Sequence, residues 1–150
     1  MSISVQAQDF DMAAEIARIR ESRHDEGQYD VGAICSFIGT VRHGPLTLEH
    51  YPGMTERALQ DIHDQALNRF GLIRARLIHR FGPLQPGDQI VGVIALSRHR
   101  QAAFDATNFM MDRLKTDAPF WKLEADKWID QRSSDIEAAK AWHKTSNHED

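Results

Sequence analysis

Gln89-Ile90-Val91-Gly92-Val93-Ile94-Ala95-Leu96-Ser97-Arg98-His99-Arg100 is the stretch from which the fold can be read. Gln89 to Leu96 is an almost unbroken apolar run rich in β-branched residues. A strand reads this way when both of its faces are covered, as at the centre of a sheet. Polarity then flips, and Arg98 or His99 opens a helix to about Leu114, with Ala103, Ala106, Met110 and Leu114 in register on one face. Upstream, the turn-rich link Gly82 to Asp88 leads back to Arg74–Phe81, where Ala75, Leu77, His79 and Phe81 alternate with Arg74, Arg76 and Arg80. Ile78 interrupts the polar side, but the period remains two.

Farther out, Ala58, Ile62, Ala66 and Phe70 recur every fourth residue and predict an amphipathic helix over Thr55 to Phe70. Before it, Val31 to Arg42 and Leu46 to Tyr51 read as strands, the second ended by Pro52-Gly53. Ile3 to Ala7 alternates as a half-buried strand. Asp9 or Asp11 can cap a helix to about Glu21, with Ala14, Ile16, Ala17 and Ile19 on or near its apolar face. Ser22 to Asp30 reads as a connection, Phe120 to Glu124 as extended, and Ser134 to Lys144 as a last short helix. Strands and helices mix without strict alternation. The expectation is an α+β fold with a mostly antiparallel sheet packed with helices, one domain over residues 1–150.

Composition narrows the function classes. At 150 residues, with 41% hydrophobic and 27% charged residues, the chain can bury a core and has the make-up of a soluble globular protein. No apolar run approaches the roughly 20 residues that span a bilayer. Met1 to Gln6 lacks the basic flank and apolar stretch of a signal peptide, so the cytoplasm is the expected address. A net charge of −4 provides no global field for nucleic acid. The single cysteine, Cys35, excludes an internal disulfide and any thiolate cluster. It lies in an apolar strand and reads as packing rather than as a nucleophile.

Three cationic spots hold the candidate chemistry. Lysines are few, yet Lys115 and Lys122 lie together in Leu114-Lys115-Thr116-Asp117-Ala118-Pro119-Phe120-Trp121-Lys122. Lys115 complements the helix C-terminus, Pro119 bars continuation, and Phe120-Trp121 anchor the chain again. This segment has two readings: a solvated lysine beside an aromatic anchor, or two ammonium groups held at one pocket. In the second, mutual repulsion favours a neutral amine for proton transfer, and the pair attracts an anionic ligand. Ser97-Arg98-His99-Arg100 places Arg and His at a helix start, where free N–H groups favour an anion. Gly39-Thr40-Val41-Arg42-His43-Gly44-Pro45 is either a plain hairpin or a phosphate-contacting loop. The sequence contains no HExxH, CxxC or GxSxG motif, and its 8 histidines show no ligand spacing. His50 and His79, each on a strand, read as satisfied structural histidines.

Taken together, Phe37-Ile38-Gly39-Thr40-Val41-Arg42, Leu46-Thr47-Leu48-Glu49-His50-Tyr51-Pro52-Gly53-Met54-Thr55-Glu56, Ile78-His79-Arg80, Pro86-Gly87-Asp88, Ser97-Arg98-His99-Arg100 and Leu114 to Glu124 resemble, in order, the large (catalytic) subunits of molybdopterin synthases. The resemblance runs from about Val31 to Trp142. It implies a subunit that dimerises through its sheet, a homodimer within a heterotetramer with two copies of a small ubiquitin-like sulfur-carrier subunit. The carrier's Gly-Gly C-terminus, activated as a thiocarboxylate, would supply two sulfurs to cyclic pyranopterin monophosphate, with no metal or organic cofactor. Lys115 and Lys122 match the family's catalytic positions. Thr40, Val41, Arg42, His99, Arg100, Lys122, Leu123 and Glu124 match its substrate contacts, and Arg132 matches a basic residue supplied across the dimer. The chain departs from the family in the short connection His43-Gly44-Pro45, where the family carries a longer polar loop, and in the absence of a few residues at the Ala125–Asp126 junction. Other classes consistent with the same cations are phosphate-ester hydrolysis or lyase chemistry and a non-catalytic anion-binding module.

Overall fold

The computed structural model describes residues 2–21, 30–124 and 127–129. Strands β1 (Ile3–Gln6), β2 (Ala33–Thr40), β4 (Arg74–Arg80) and β6 (Gln89–Ser97) form a four-stranded sheet in the order β1-β4-β6-β2. β6 is central and antiparallel to both neighbours, while β1 runs parallel to β4, with Ile3 opposite Leu77. Side-chain alternation sorts the core into two layers. Ala75 and Leu77 of β4, with Val91, Val93 and Ala95 of β6, pack against α2 (Met54–Phe70) and α3 (Arg100–Asp117). Ile78, Ile94 and Leu96 face the other way, onto Phe10 and Met12 at the start of α1 (Met12–Glu21). β6 is therefore covered on both faces, which is why its sequence shows no alternation.

The arginine side of β4 does not face water. Arg74 Nε donates to the Ile19 carbonyl (2.9 Å), and Arg76 Nε donates to Glu15 Oε2 (3.2 Å). Arg80 reaches the carbonyls of Ala7 (3.0 Å) and Gln89 (2.9 Å). Glu15 is buried on α1 and also pairs with Arg18. The inner face of α1 is thus Met12, Glu15, Ile16 and Ile19, and Ala17, expected near that face, is exposed. A buried acid answering a row of arginines cannot be recognised from apolar periodicity alone.

A second sheet has the order β5-β3-β7-β8 and is antiparallel throughout: β3 (Leu46–His50), β5 (Gly82–Leu84), β7 (Phe120–Glu124) and β8 (Lys127–Ile129). The link Gly82 to Asp88 therefore carries a short strand that its Gly and Pro disguised. Pro83 is tolerated because β5 is an edge strand. Val31 to Arg42 is strand only from Ala33 to Thr40. Beyond it Val41 leaves β6, exchanging backbone hydrogen bonds with Gly87 (2.8 Å) and Asp88 (2.9 Å), and is buried. The expected helix at Ser134–Lys144 lies outside the described residues. Among those described, no helix is long and apolar enough to cross a membrane.

Candidate functional site

Where the two sheets meet, a cleft of about 400 Å³ opens. The end of β2 (Phe37 to Thr40) and Ile90 and Val91 of β6 form one wall, and Leu46 and Leu48 of β3 form another. Met111, Leu114, Lys115 and Ala118 at the end of α3 face them, and His79, Phe120 and Lys122 complete the lining. Its walls are mostly apolar, and no carboxylate among the described residues lines it. Two ammonium groups in such a place attract an anion.

Local structure explains why both lysines arrive here. α3 runs to Asp117, and Ala118 then turns extended (φ −77°, ψ 129°), as a residue before proline must. Phe120 begins β7 opposite His50, which puts Lys122 opposite Leu48. In a strand, residues two apart share a face, so Phe120 and Lys122 both reach the cleft. Trp121 points the other way, edge-on to Tyr51 at 4.1 Å. Lys115, on the last turn of α3, is exposed, and Lys122 is half-buried.

His79 was expected to be structural, and part of that reading holds. Its Nδ1 lies 2.9 Å from the Arg80 carbonyl, which can only accept, so Nδ1 carries the proton. The ring also lines the cleft, stacked on Phe120 at 3.7 Å and 17°. Burial pulls its pKa down to about 4, the Arg80 bond opposes this, and the charges of Lys122 and His50 add to the depression. The signal was available in the sequence, since His79 shares the inward side of β4 with Ala75 and Leu77. His50 is held by Thr55: the Thr55 hydroxyl donates to the Tyr51 carbonyl (2.8 Å) and accepts from His50 Nδ1 (3.0 Å). Cys35, opposite Ala95, does not line the cleft.

The remaining candidates divide. Thr40 lines the cleft beside Gly39, whose hydrogen is the most the space allows, because a Cβ there would lie 2.7 Å from Val91 Cγ1. Val41 is buried beneath the second sheet, and Arg42 is exposed on the connection between Thr40 and Leu46. Leu123 and Glu124 continue β7 opposite Thr47 and Lys127, and Arg132 lies outside the described residues.

His99 and Arg100 are exposed at the far end of the first sheet. There Ser97 pairs with Ala33, whereas Thr40 pairs with Gln89. Seven residue steps at about 3.3 Å separate the two ends by roughly 23 Å. Within one chain the three cationic spots therefore do not converge. The far corner is itself well defined: Ser97 Oγ donates to the His99 carbonyl (2.5 Å), and Arg98 pairs with Asp30 (3.3 Å). Gly32 closes against it, and a Cβ there would lie 2.1 Å from the Arg98 carbonyl oxygen.

Residues 5–117 match the family model described as MoaE protein. A molybdopterin synthase catalytic subunit from Ralstonia nicotianae is 48% identical, over 94% of this chain and 84% of the relative. The structure of molybdopterin cofactor biosynthesis protein E from Burkholderia multivorans superposes with a TM-score of 0.81 at 46% identity, covering 95% of this chain and 96% of that one. The same fold occurs in a Helicobacter pylori structure described as a complex of subunits 1 and 2 of molybdopterin-converting factor (TM-score 0.68, 20% identity, covering 87% and 90%).

Proposed function

Given that the chain belongs to the MoaE family of molybdopterin synthase catalytic subunits, we propose that it is a cytoplasmic sulfurtransferase of molybdenum cofactor biosynthesis. It takes sulfur from the thiocarboxylated Gly-Gly C-terminus of a small ubiquitin-like carrier and transfers two sulfurs in turn to cyclic pyranopterin monophosphate. The observation that carries this reading is the apolar cleft with Lys115 and Lys122 on its wall and no acid lining it among the described residues. Such a passage admits a side-chain-free peptide tail, and the two cations meet both the thiocarboxylate and the phosphate.

In this mechanism the thiocarboxylate sulfur attacks a side-chain carbon of the pterin, giving a thioester between carrier and substrate. Lys115 and Lys122 offset the negative charge that develops as the cyclic phosphate opens. Water then hydrolyses the thioester, releasing the carrier as a carboxylate and leaving its sulfur on the pterin. A second carrier then attacks the neighbouring side-chain carbon, whose oxygen is protonated and leaves as water, and hydrolysis of this second thioester leaves the second sulfur in place.

The distance between the cleft and the His99–Arg100 corner has a simple resolution in a homodimer. β2 is an edge strand, and Ile34, Phe37 and Ile38 on it are about 40% exposed. Two copies pairing antiparallel along β2 would set the start of one strand beside the end of the other. His99 and Arg100 of one copy would then approach Thr40, Arg42 and the cleft of its partner, with Arg132 contributing across the same boundary. Each carrier, one per cleft, would complete a heterotetramer.

The test is an in vitro reaction of the chain with thiocarboxylated carrier and cyclic pyranopterin monophosphate, the product being read by fluorescence of its oxidised derivative. Product that disappears with Lys115→Ala supports the proposal. Absence of product with a folded, carrier-binding protein refutes it.

A further inference from the structure

The cleft's charged side chains, Lys115 and Lys122, offer only hydrogen-bond donors to a ligand. A phosphate is satisfied by these alone, but a nitrogen heterocycle is not, because its ring N–H and amino groups need acceptors. We propose that His79 Nε2 is that acceptor, orienting a planar, N–H-bearing ring in the cleft while the lysines hold the anionic group at the other end. The inference rests on the functional reading above and names the residue that tells the ring end of the substrate from its phosphate end.

Three features support it. The Arg80 carbonyl fixes the tautomer, so the lone pair sits on Nε2, on the opposite side of the ring. Nδ1 is the ring nitrogen with a described partner, and Nε2 is not among the sealed, unpartnered side-chain atoms, of which Arg74 Nη2 is the one described. Nε2 is therefore accessible, and the ring that carries it lines the cleft. Finally, Phe120 stacked on the imidazole prevents it from rotating, and with Phe37 these rings give the cleft an aromatic wall suited to a flat heterocycle. The low pKa of His79 keeps the lone pair available at neutral pH, beside cations that would otherwise be answered only by anions.

The direct test is ¹⁵N NMR of histidine-labelled wild-type chain. The Nε2 resonance of His79 should move when cyclic pyranopterin monophosphate is added and stay in place with inorganic phosphate. In calorimetry, His79→Phe, which preserves the stacking, should raise Kd for the pterin about 10- to 100-fold, the usual effect of leaving a buried donor unpaired. Its affinity for inorganic phosphate should change less than about two-fold. His79→Gln, which restores an acceptor near the same place, should recover much of the loss. A stationary Nε2 signal, equal losses for both ligands, or a shift on adding a Gly-Gly tail peptide but not the pterin would overturn the assignment. If wild type binds and converts the pterin while any of these occurs, only His79's role falls. If wild type binds no pterin, the functional reading falls with it.

Discussion

Acidification should destabilise the protein through His79 before it reaches the carboxylates. The imidazole titrates near 6.5 in an unfolded chain and at about 4 in the native one. Between those values the unfolded state binds a proton that the native state refuses, so stability is intact above pH 6.5 and drains away as pH falls towards 4. A difference of about 2.5 in pKa at ~1.4 kcal/mol per unit is worth roughly 3–4 kcal/mol in full, and most of it is lost by pH 4.5. That is a large share of the ~5–15 kcal/mol that holds a domain together. His79→Phe preserves the contact with Phe120 and removes the titration. The lost bond to Arg80 should cost about 1 kcal/mol at every pH. Urea unfolding at several pH values between 7.5 and 4.5 should give wild-type and variant curves that converge as pH falls and then cross. Asp9 and Asp64, whose carboxyls are held below the ordinary range by hydrogen bonds from Gln89 and His63 respectively, lose their contributions only below that window, in both proteins alike. Curves that remain parallel would mean that His79 charges in the folded state as easily as in water, and the argument from its dry setting would fail.

Lys115→Ala should abolish turnover, by at least ~100-fold, while the melting temperature remains within about 2 °C of wild type, because the side chain is exposed; near-normal turnover in the fluorescence assay would exclude its catalytic role. Mixing inactive Lys115→Ala with inactive Arg100→Ala should restore up to about a quarter of wild-type activity in co-expressed dimers if the far corner of one copy serves the cleft of the other, whereas a mixture as inactive as its components would place the whole site in one chain. Gly32→Ala should displace the Arg98 carbonyl by about 1 Å, weakening pterin binding about ten-fold or more while leaving carrier binding unchanged; calorimetry on both ligands separates the two. Glu15→Gln should cost about 1–3 kcal/mol in urea unfolding by removing the negative charge that Arg76 Nε meets under α1, and a change below about 0.5 kcal/mol would show that this ion pair contributes nothing to the layer.

Much of this architecture was legible because single elements declared themselves. β6 reads as central from its unbroken apolar run, and α3 from Ala103, Ala106, Met110 and Leu114, all buried. What escaped was set by partners far away in sequence. Gly82–Leu84 looks like turn material until Leu46–Leu48 is beside it to pair with. The arginines of β4 look solvated until Glu15 and the carbonyl end of α1 descend on them. The two lysines could be assigned to one place because only six positions, one of them a proline, separate them. His99 and Arg100 could not, because the separation along β6 depends on strand register. His79 was undervalued because its hydrogen bond to Arg80 satisfies one nitrogen, while the consequence for the other appears only once Phe120 is stacked against the ring.

The corner at Ala118–Pro119 has a mechanical consequence. Lys115 rides on a helix fastened to the first sheet, and Lys122 on a strand of the second. Their spacing is therefore governed by the seam between the two sheets, not by either sheet alone. A small sliding of one past the other would widen or narrow the grip on an incoming anion without breaking a strand pairing. Distances between spin labels placed on the two sheets would report that grip as ligands enter and leave.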